Sequence, residues 1–146
     1  NSKMKDMIFN SVKETQQFAS DYAKEISKGK VIALVGDLGS GKTTFSQGFA
    51  RGLGIKDKVI SPTFKLVSEY EGDKTLYHID CYRMESAKDF INIGGEEFIL
   101  SNESITLIEW ADRVKPLWSE DWICIYFNII ENQPNSRIIK ISNVKK

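Results

Sequence analysis

The sequence predicts a three-layer α/β domain, with a mostly parallel sheet and antiparallel hairpins at its side. The first observation is a short apolar run at residues 31–35, followed by a glycine-rich loop and a segment with helical spacing of apolar residues. The second is a pair of hairpin patterns, near residues 65–83 and 122–141. A chain of 146 residues has the usual length of one domain, so we expect residues 1–146 to form a single domain.

The chain begins with a predicted edge strand and a predicted helix. Met7–Phe9 is a short apolar run that fits an edge strand. Ser11 and Glu14 form a capping-box pattern, which starts a helix. Apolar residues then recur at helical spacing up to Ile26, and Gly29 stands where a C-cap is expected. We interpret this helix as scaffold.

The glycine-rich loop fills every fixed position of the P-loop motif G-x-x-x-x-G-K-[ST], between a predicted strand and a predicted helix. Glycines let backbone N–H groups approach phosphate oxygens, and the N-terminus of the following helix directs further N–H groups at the same anion. Lys42 adds a cation for the β- and γ-phosphates, and the Thr43 hydroxyl is placed to bind Mg²⁺. We therefore predict a nucleotide-binding, P-loop NTPase-like domain. The predicted contacts in this loop are Asp37, Leu38, Gly39, Ser40, Gly41, Lys42, Thr43 and Thr44.

The stretch after the P-loop helix is predicted to be a loop followed by a hairpin. Pro62 blocks a helix in Ser61–Phe64, which lies where nucleotide-sensing switch loops of P-loop proteins occur. The second hairpin strand is predicted to run from Thr75 to Arg83, with His78, Asp80 and Tyr82 on one face. Spacing alone leaves two interpretations open: an acid that binds metal or water, or a surface carboxylate beside a hydrogen-bonded histidine.

A second motif of the predicted nucleotide site is the apolar run Ile105–Ile108, which ends in Glu109. An apolar strand ending in a carboxylate is the Walker-B pattern, which brings an acid to the Mg²⁺ of the P-loop threonine. Many such strands end in two acids, but Trp110 follows here, so the second acid must come from elsewhere. We expect Asp80 to supply it. Which of the two carboxylates binds the metal directly stays open.

The rest of the chain is predicted to be scaffold. Residues 87–91 and 95–100 are expected to form short helices, and 111–115 a helical turn that Pro116 ends. We interpret the C-terminal hairpin at 122–141 as scaffold at the edge of the sheet.

Composition argues against several classes of function, although a local patch for RNA remains possible. Twenty basic and twenty acidic residues balance, so no overall field favours a free nucleic-acid binder. No apolar run reaches the roughly 18 residues of a membrane span, and no signal peptide is recognised, so we expect a cytoplasmic protein. Cys81 and Cys124 lack the spacing of metal or redox motifs and are interpreted as small core residues.

Four short motifs together resemble a known family: GDLGSGKTT at 36–44, SPTF at 61–64, HIDCYR at 78–83 and IEW at 108–110. In order and spacing they are similar to the bacterial TsaE family, also called YjeE. The resemblance extends from the first helix to about Trp110, and the C-terminal hairpin matches only in general character. Ser40, often Ala in the family, and Cys81, commonly another apolar residue, are mild departures.

The resemblance implies an ATPase that uses ATP and Mg²⁺ and acts with two partners, TsaB and TsaD. Together they make N6-threonylcarbamoyladenosine at position 37 of tRNAs that read ANN codons. In that family TsaD carries out the transfer from threonylcarbamoyl-AMP, and TsaE, a weak ATPase alone, hydrolyses ATP to reset the complex. The implied contact with tRNA is indirect, through the complex. The implied roles are phosphate and Mg²⁺ binding for Lys42 and Thr43, the switch-like loop for Thr63, metal and attacking water for Asp80 and Glu109, and a place beside the nucleotide for Trp110.

Three alternatives remain beside this interpretation. A small-molecule kinase would need a lid and an acceptor pocket, but no arginine-rich segment follows the core. A GTPase would carry the guanine-reading motif N-K-x-D, which is absent from the sequence. A non-catalytic nucleotide-gated adaptor fits the same residues, because Mg²⁺ ligands serve binding as well as hydrolysis.

Overall fold

The structure is a computed structural model that describes residues 5–37, 39–60 and 66–143. The strands within these ranges are β1 (Lys5–Phe9), β2 (Val31–Val35), β3 (Val67–Tyr70), β4 (Thr75–Asp80), β5 (Ser104–Glu109), β6 (Ile123–Ile130) and β7 (Gln133–Asn143). The helices are α1 (Val12–Glu25), α2 (Lys42–Gly52), α3 (Ala87–Asn92), α4 (Gly95–Ile99) and a 3-10 helix (Ala111–Leu117).

One mixed sheet organises these elements, in the strand order β1-β7-β6-β2-β5-β4-β3. The central strands β6, β2, β5 and β4 run parallel to one another. Antiparallel pairing adds β3 beside β4 and adds β7 and then β1 beside β6. The predicted sheet, parallel at its centre with antiparallel hairpins at its side, is therefore confirmed.

Two apolar clusters cover the two faces of this sheet and make three layers. In β2, Ile32 and Leu34 pack with α1 and α2 on one face, whereas Val31 and Ala33 pack on the other with the side of the sheet that holds α3 and the 3-10 helix. A strand buried on both faces reads as a continuous apolar run, which is why 31–35 shows no alternation.

Helix α1 ends earlier than the sequence predicted. Ser11 caps its start by accepting from the Glu14 N–H at 3.1 Å, but the helix ends at Glu25 and the C-cap is Ile26, not Gly29. Ile26 is extended and buried, and its carbonyl accepts from Lys74 at 2.5 Å. Burial of this side chain turns the chain out of the helix before the glycine is reached.

Strand β4 is also shorter than predicted. It ends at Asp80 instead of Arg83, because the Asp80 carboxylate accepts from the Tyr82 N–H at 2.9 Å and closes a local turn. The Cys81 N–H instead donates to the Glu109 carbonyl at 3.0 Å. Tyr82 therefore follows a turn and does not continue a strand face shared with His78 and Asp80.

Two predictions about the C-terminal third were wrong. Pro116 lies inside the 3-10 helix, where the backbone instead breaks at Val114 with φ −120° and ψ 26°. The 3-10 turns on either side tolerate a proline that lacks an N–H. The hairpin β6–β7 is not at the sheet edge either, because β1 pairs outside β7 as the predicted edge strand.

The two cysteines lie in the core, as predicted. Both are buried and neither forms a disulfide. Burial raises the pKa of the Cys81 thiol to about 12, which keeps it protonated and unreactive. Among the described residues, no helix is both long and apolar enough to span a membrane.

Close packing of α2 on α1 fixes the helix that carries the P-loop. A Cβ added to Gly48 would lie 2.6 Å from the Gln16 Cα, and one added to Gly52 would lie 2.8 Å from the Ser20 Cα. Both contacts are with α1 backbone, which cannot rotate away as a side chain can. The two glycines therefore let the helix axes approach each other.

We expect Gly48→Ala to destabilise the protein although alanine is the better helix former. The propensity gain is about 1 kcal/mol, whereas forcing backbones apart in a packed core costs about 1–3 kcal/mol. Urea denaturation measures the change, with Arg51→Ala, exposed on the same helix, as the control that should stay near wild type. A higher urea midpoint for Gly48→Ala would contradict the backbone contact.

Candidate functional site

A cavity of about 420 Å³ opens where β2, β4 and β5 end and α2 begins. The carboxyl ends of parallel strands are the usual place for ligands in open α/β sheets. The cavity is lined by Gly39, Gly41, Lys42, Thr43, Thr44, Asp80, Tyr82, Glu109, Trp110 and Arg137.

The register of the sheet brings the predicted acids to this cavity. Glu109 pairs with Asp80 on one side and with Leu34 on the other, so the three strands end at one level beside the P-loop. The two carboxylates come from strands far apart in sequence but adjacent in the sheet. Both side chains are buried, at 3% and 5% exposure.

Two glycines of the P-loop take backbone conformations that suit close approach of a bound anion. Gly39 and Gly41 take positive φ values of 79° and 107°, which L-residues with a side chain rarely adopt. No atom lies within 4 Å of a Cβ placed on Gly39, so its backbone faces open space. Helix α2 starts at Lys42 and directs its first N–H groups toward this loop. The loop and the helix N-terminus therefore fit a bound polyphosphate.

The Lys42 ammonium is buried at the centre of the site. It donates to the Gly36 carbonyl and, at 3.0 Å, to the Asp37 carbonyl, and it lies 4.3 Å from the centre of the Trp110 ring. Burial lowers the pKa of Lys42, while the nearby carboxylates, Glu109 first, act in the opposite direction. Burial has the larger effect, so a bound anion would favour the charged form.

Glu109 lies between the P-loop helix and strand β4. One carboxylate oxygen, Oε1, lies 3.5 Å from the Thr43 hydroxyl. The other, Oε2, lies 2.5 Å from Nε2 of His78.

The described residues hold no cluster of three or more Asp, Glu, His or Cys side chains that could bind a metal by themselves. Mg²⁺ needs fewer protein ligands, because it takes one or two carboxylates and completes its shell with phosphates and water. Thr43 with these acids fits that ion.

Trp110 turns the chain away from β5 and closes one wall of the cavity. Its φ of 57° is uncommon for a residue with a large side chain. The turn places its ring 5.0 Å from the Tyr82 ring, with the Arg113 guanidinium 5.8 Å from each. Tyr82 is 45% exposed, so this group of rings joins the buried Lys42 to the surface.

Arg137 is part of the site although its hairpin was interpreted as scaffold. It lies on β7 and donates to the Gly39 carbonyl at 3.0 Å and to the Pro134 carbonyl at 2.7 Å. Within the described ranges its Nε is buried without a hydrogen-bond partner. A single arginine in a predicted hairpin cannot be told from an ordinary solvent-exposed strand residue, so no pattern in the sequence identified it.

Of the remaining predicted site residues, two do not line the cavity and two lie outside the described residues. Ser40 is buried beneath the loop, and Asp37 is exposed; neither lines the cavity. Leu38 and Thr63, with the rest of Ser61–Phe64, lie outside the described residues.

Comparison with known proteins identifies the family. The family model described as "Threonylcarbamoyl adenosine biosynthesis protein TsaE" matches residues 9–139. The chain belongs to the TsaE family. The match continues beyond Trp110, where the motif resemblance ended, and includes Arg137.

Relatives described as tRNA threonylcarbamoyladenosine biosynthesis protein TsaE support this membership. The Treponema pallidum protein is 36% identical over 84% of this chain and 90% of its own length. The Bacillus subtilis protein is 42% identical over 77% of this chain and 71% of its own, and the Aquifex aeolicus protein 43% over 77% and 81%. The crystal structure of Bacillus subtilis YdiB matches this TsaE-family fold with a TM-score of 0.83 at 32% identity, over 99% of this chain and 88% of that one.

The lowered pKa of Lys42 predicts that nucleotide affinity falls at alkaline pH. A bound phosphate raises this pKa again, so binding is strongest where the lysine is charged. The affinity should therefore be constant below the pKa of the free protein and fall by up to about tenfold per pH unit above it. Titration calorimetry from neutral pH to 10.5, the ordinary pKa of lysine, measures this.

The control for this pH dependence is Lys42→Arg, which stays charged over the same range. It should bind with a nearly flat pH profile, even if its affinity is lower. A wild-type affinity that stays constant up to pH 10.5 would contradict the role of the ammonium.

Proposed function

We propose that the chain is the ATP-binding and ATP-hydrolysing component of the machinery that makes N6-threonylcarbamoyladenosine at position 37 of tRNA in the cytoplasm. The observation that carries this proposal is one cleft in which Lys42 and Thr43 of the P-loop meet two strand-end acids, Asp80 and Glu109. The fold and the site belong to a chain of the TsaE family, whose relatives are named for this modification.

ATP with Mg²⁺ is the proposed cofactor. The P-loop backbone and Lys42 would hold the β- and γ-phosphates, with Arg137 beside Gly39 as a further cation. When bound, Mg²⁺ would offset the negative charge on the phosphate oxygens while the γ-phosphoryl group is transferred to water. We assign the direct metal contact to Thr43 and Glu109, since that pair is already 3.5 Å apart.

Asp80 is then the acid that orients the attacking water. It lines the cleft next to Glu109 in register, and the Tyr82 N–H fixes one of its oxygens at 2.9 Å. A carboxylate held in this way can accept a hydrogen bond from water without turning toward the metal ligands. Trp110 covers Lys42 and limits the access of bulk water to the phosphates.

The proposed partners are TsaB and TsaD, with tRNA reached through their complex. The described cavity beside the P-loop is lined by the residues that we propose to hold the triphosphate and Mg²⁺, so we assign it no phosphate acceptor. On this proposal, ATP binding acts by changing the surface that the protein presents to its partners. Trp110 and Tyr82 connect the nucleotide site to the surface. Trp110 contacts Lys42, and Tyr82 packs on Trp110 and is exposed.

Glu109→Gln should lower ATP hydrolysis far more than ATP binding. It keeps the shape of the side chain and removes its charge, and loss of one such electrostatic contact costs on the order of 10²-fold in rate. Phosphate release in the presence of the partners measures the rate, and calorimetry measures binding. Thr43→Ala is the matched variant: its binding should lose Mg²⁺ dependence and resemble wild type in EDTA. Normal hydrolysis by Glu109→Gln would make Glu109 a packing residue.

The partner role predicts that nucleotide state changes the affinity for a TsaB–TsaD complex. We expect different dissociation constants with ADP, with a non-hydrolysable ATP analogue and without nucleotide. By linkage, a partner that binds the ATP form more tightly must tighten ATP binding by the same factor. Lys42→Ala, which should lose the nucleotide, is the control and should show one affinity throughout. Equal wild-type affinities in all three states would leave a nucleotide-binding protein that does not gate this complex.

A further inference from the structure

His78 is a buried group that the proposed mechanism does not yet use. It is the only histidine in the sequence and is fully buried in β4 beneath the cleft. Its Nε2 lies 2.5 Å from Oε2 of Glu109 on the neighbouring strand. Its Nδ1 is buried and has no hydrogen-bond partner in the part of the chain that the structure describes. Most buried polar atoms in proteins are hydrogen-bonded, so a fully buried ring with one free nitrogen needs an explanation.

The hydrogen bond itself indicates where the imidazole proton lies. An ionised carboxylate can only accept, so Nε2 is the donor to Glu109. The contact therefore fits a ring proton on Nε2 that is donated to Glu109.

The contact decides which way the Glu109 carboxylate faces. The last torsion of a glutamate is broad and roughly two-fold, so an unrestrained carboxylate turns easily. Here His78 holds Oε2, and this leaves Oε1 directed at the Thr43 hydroxyl, 3.5 Å away. His78 reaches Glu109 because β4 and β5 are parallel and in register, with Leu107 opposite His78 and Glu109 two residues further along.

We propose that His78 is a positioning residue for Glu109, and that its Nε2–H orients the carboxylate so that Oε1 faces the metal position beside Thr43. This rests on the proposed function of the cleft as an ATP and Mg²⁺ site. Partners of metal-binding groups fix ligand orientation, and their loss typically weakens metal binding by about 10–100-fold. His78 does not itself touch the nucleotide.

The first experiment measures the Mg²⁺ dependence of ADP binding in His78 variants. His78→Leu keeps the volume but removes the donor, and should raise the Mg²⁺ concentration for half-maximal tightening by about 10–100-fold. Binding in EDTA should stay near the wild-type value, because the P-loop is unchanged. His78→Gln places an amide N–H near the Nε2 position and should recover most of the Mg²⁺ response.

The control is Leu76→Val, a fully buried change two residues earlier on the same face of β4. It should lower the thermal unfolding midpoint and leave the Mg²⁺ dependence unchanged. If it shifts the Mg²⁺ dependence as much as His78→Leu does, the effect comes from loosening of the strand and the proposal is overturned. An unchanged Mg²⁺ response in His78→Leu overturns it as well.

The second experiment is independent of whether the His78 variants fold. Because the chain has one histidine, ¹⁵N-detected imidazole spectra of an untagged sample report His78 alone. We expect the Nε2–H form with a hydrogen-bonded ring proton, shifted by Glu109→Gln and by addition of Mg²⁺ with ADP. An Nδ1–H form, or a ring signal unaffected by Glu109→Gln, would overturn the proposal.

The two proposals fail in different ways. If the wild-type protein binds no nucleotide, the function of the cleft fails and the role of His78 fails with it. If wild type binds ADP more tightly with Mg²⁺ but His78→Leu does the same, only the role of His78 fails.

Discussion

The structure depends on keeping one buried cation and two buried carboxylates together at the ends of three parallel strands. Lys42, Asp80 and Glu109 are each at most 5% exposed. Burying one such charge alone is costly, because the protein interior replaces water poorly. In this cleft each group has polar neighbours: the carbonyls of Gly36 and Asp37, the Tyr82 N–H and the His78 ring. Each buried charge is therefore stabilised by polar contacts of its own, and the carboxylates near Lys42 favour its charged form.

The scaffold around this cluster sets the distances within it. Helix α2, which carries Lys42 and Thr43 at its start, lies directly on α1 because Gly48 and Gly52 have no Cβ. On the other side, the parallel register places Asp80 opposite Glu109. A shift of one residue in that register would turn every side chain of the strand to the opposite face of the sheet. Helix packing and strand register together therefore set the positions of the side chains that line the cleft.

Local patterns predicted the parts of the fold and site that are local in sequence. The central strand 31–35, the helix that follows the P-loop motif and the strand that ends in Glu109 follow from residue types and spacing, and the structure has these elements. The mixed sheet followed from strand and hairpin patterns. The strand that was predicted to reach Arg83 ends at Asp80 because a side chain bonds to the backbone two residues on, and apolar spacing does not reveal such a bond.

The contacts that no pattern indicated are those that depend on tertiary packing. Arg137 reaches Gly39 across 98 positions of sequence, because the strand order places the β6–β7 hairpin beside β2, which leads into the P-loop. The bond between His78 and Glu109 joins two strands whose pairing is known only once the sheet order is known. The left-handed backbone of Trp110 is also a result of tertiary packing, since a tryptophan has no intrinsic preference for that conformation. A single sequence contains these residues without showing which of them meet.

The partners of Lys42 suggest how the cleft can act on the surface. In this structure its ammonium interacts with neutral carbonyls and with the face of Trp110, and none of these contacts is as strong as a charge-assisted bond to phosphate. A polyphosphate would therefore compete for the same ammonium and weaken its hold on the Trp110 ring. That ring packs on Tyr82, which is exposed, and both lie near Arg113. Under the proposed function, the lysine that would hold the phosphates also contacts the aromatic pair at the mouth of the cleft. On this reasoning, a change in the occupancy of one buried cation is enough to alter a surface that a partner protein could recognise.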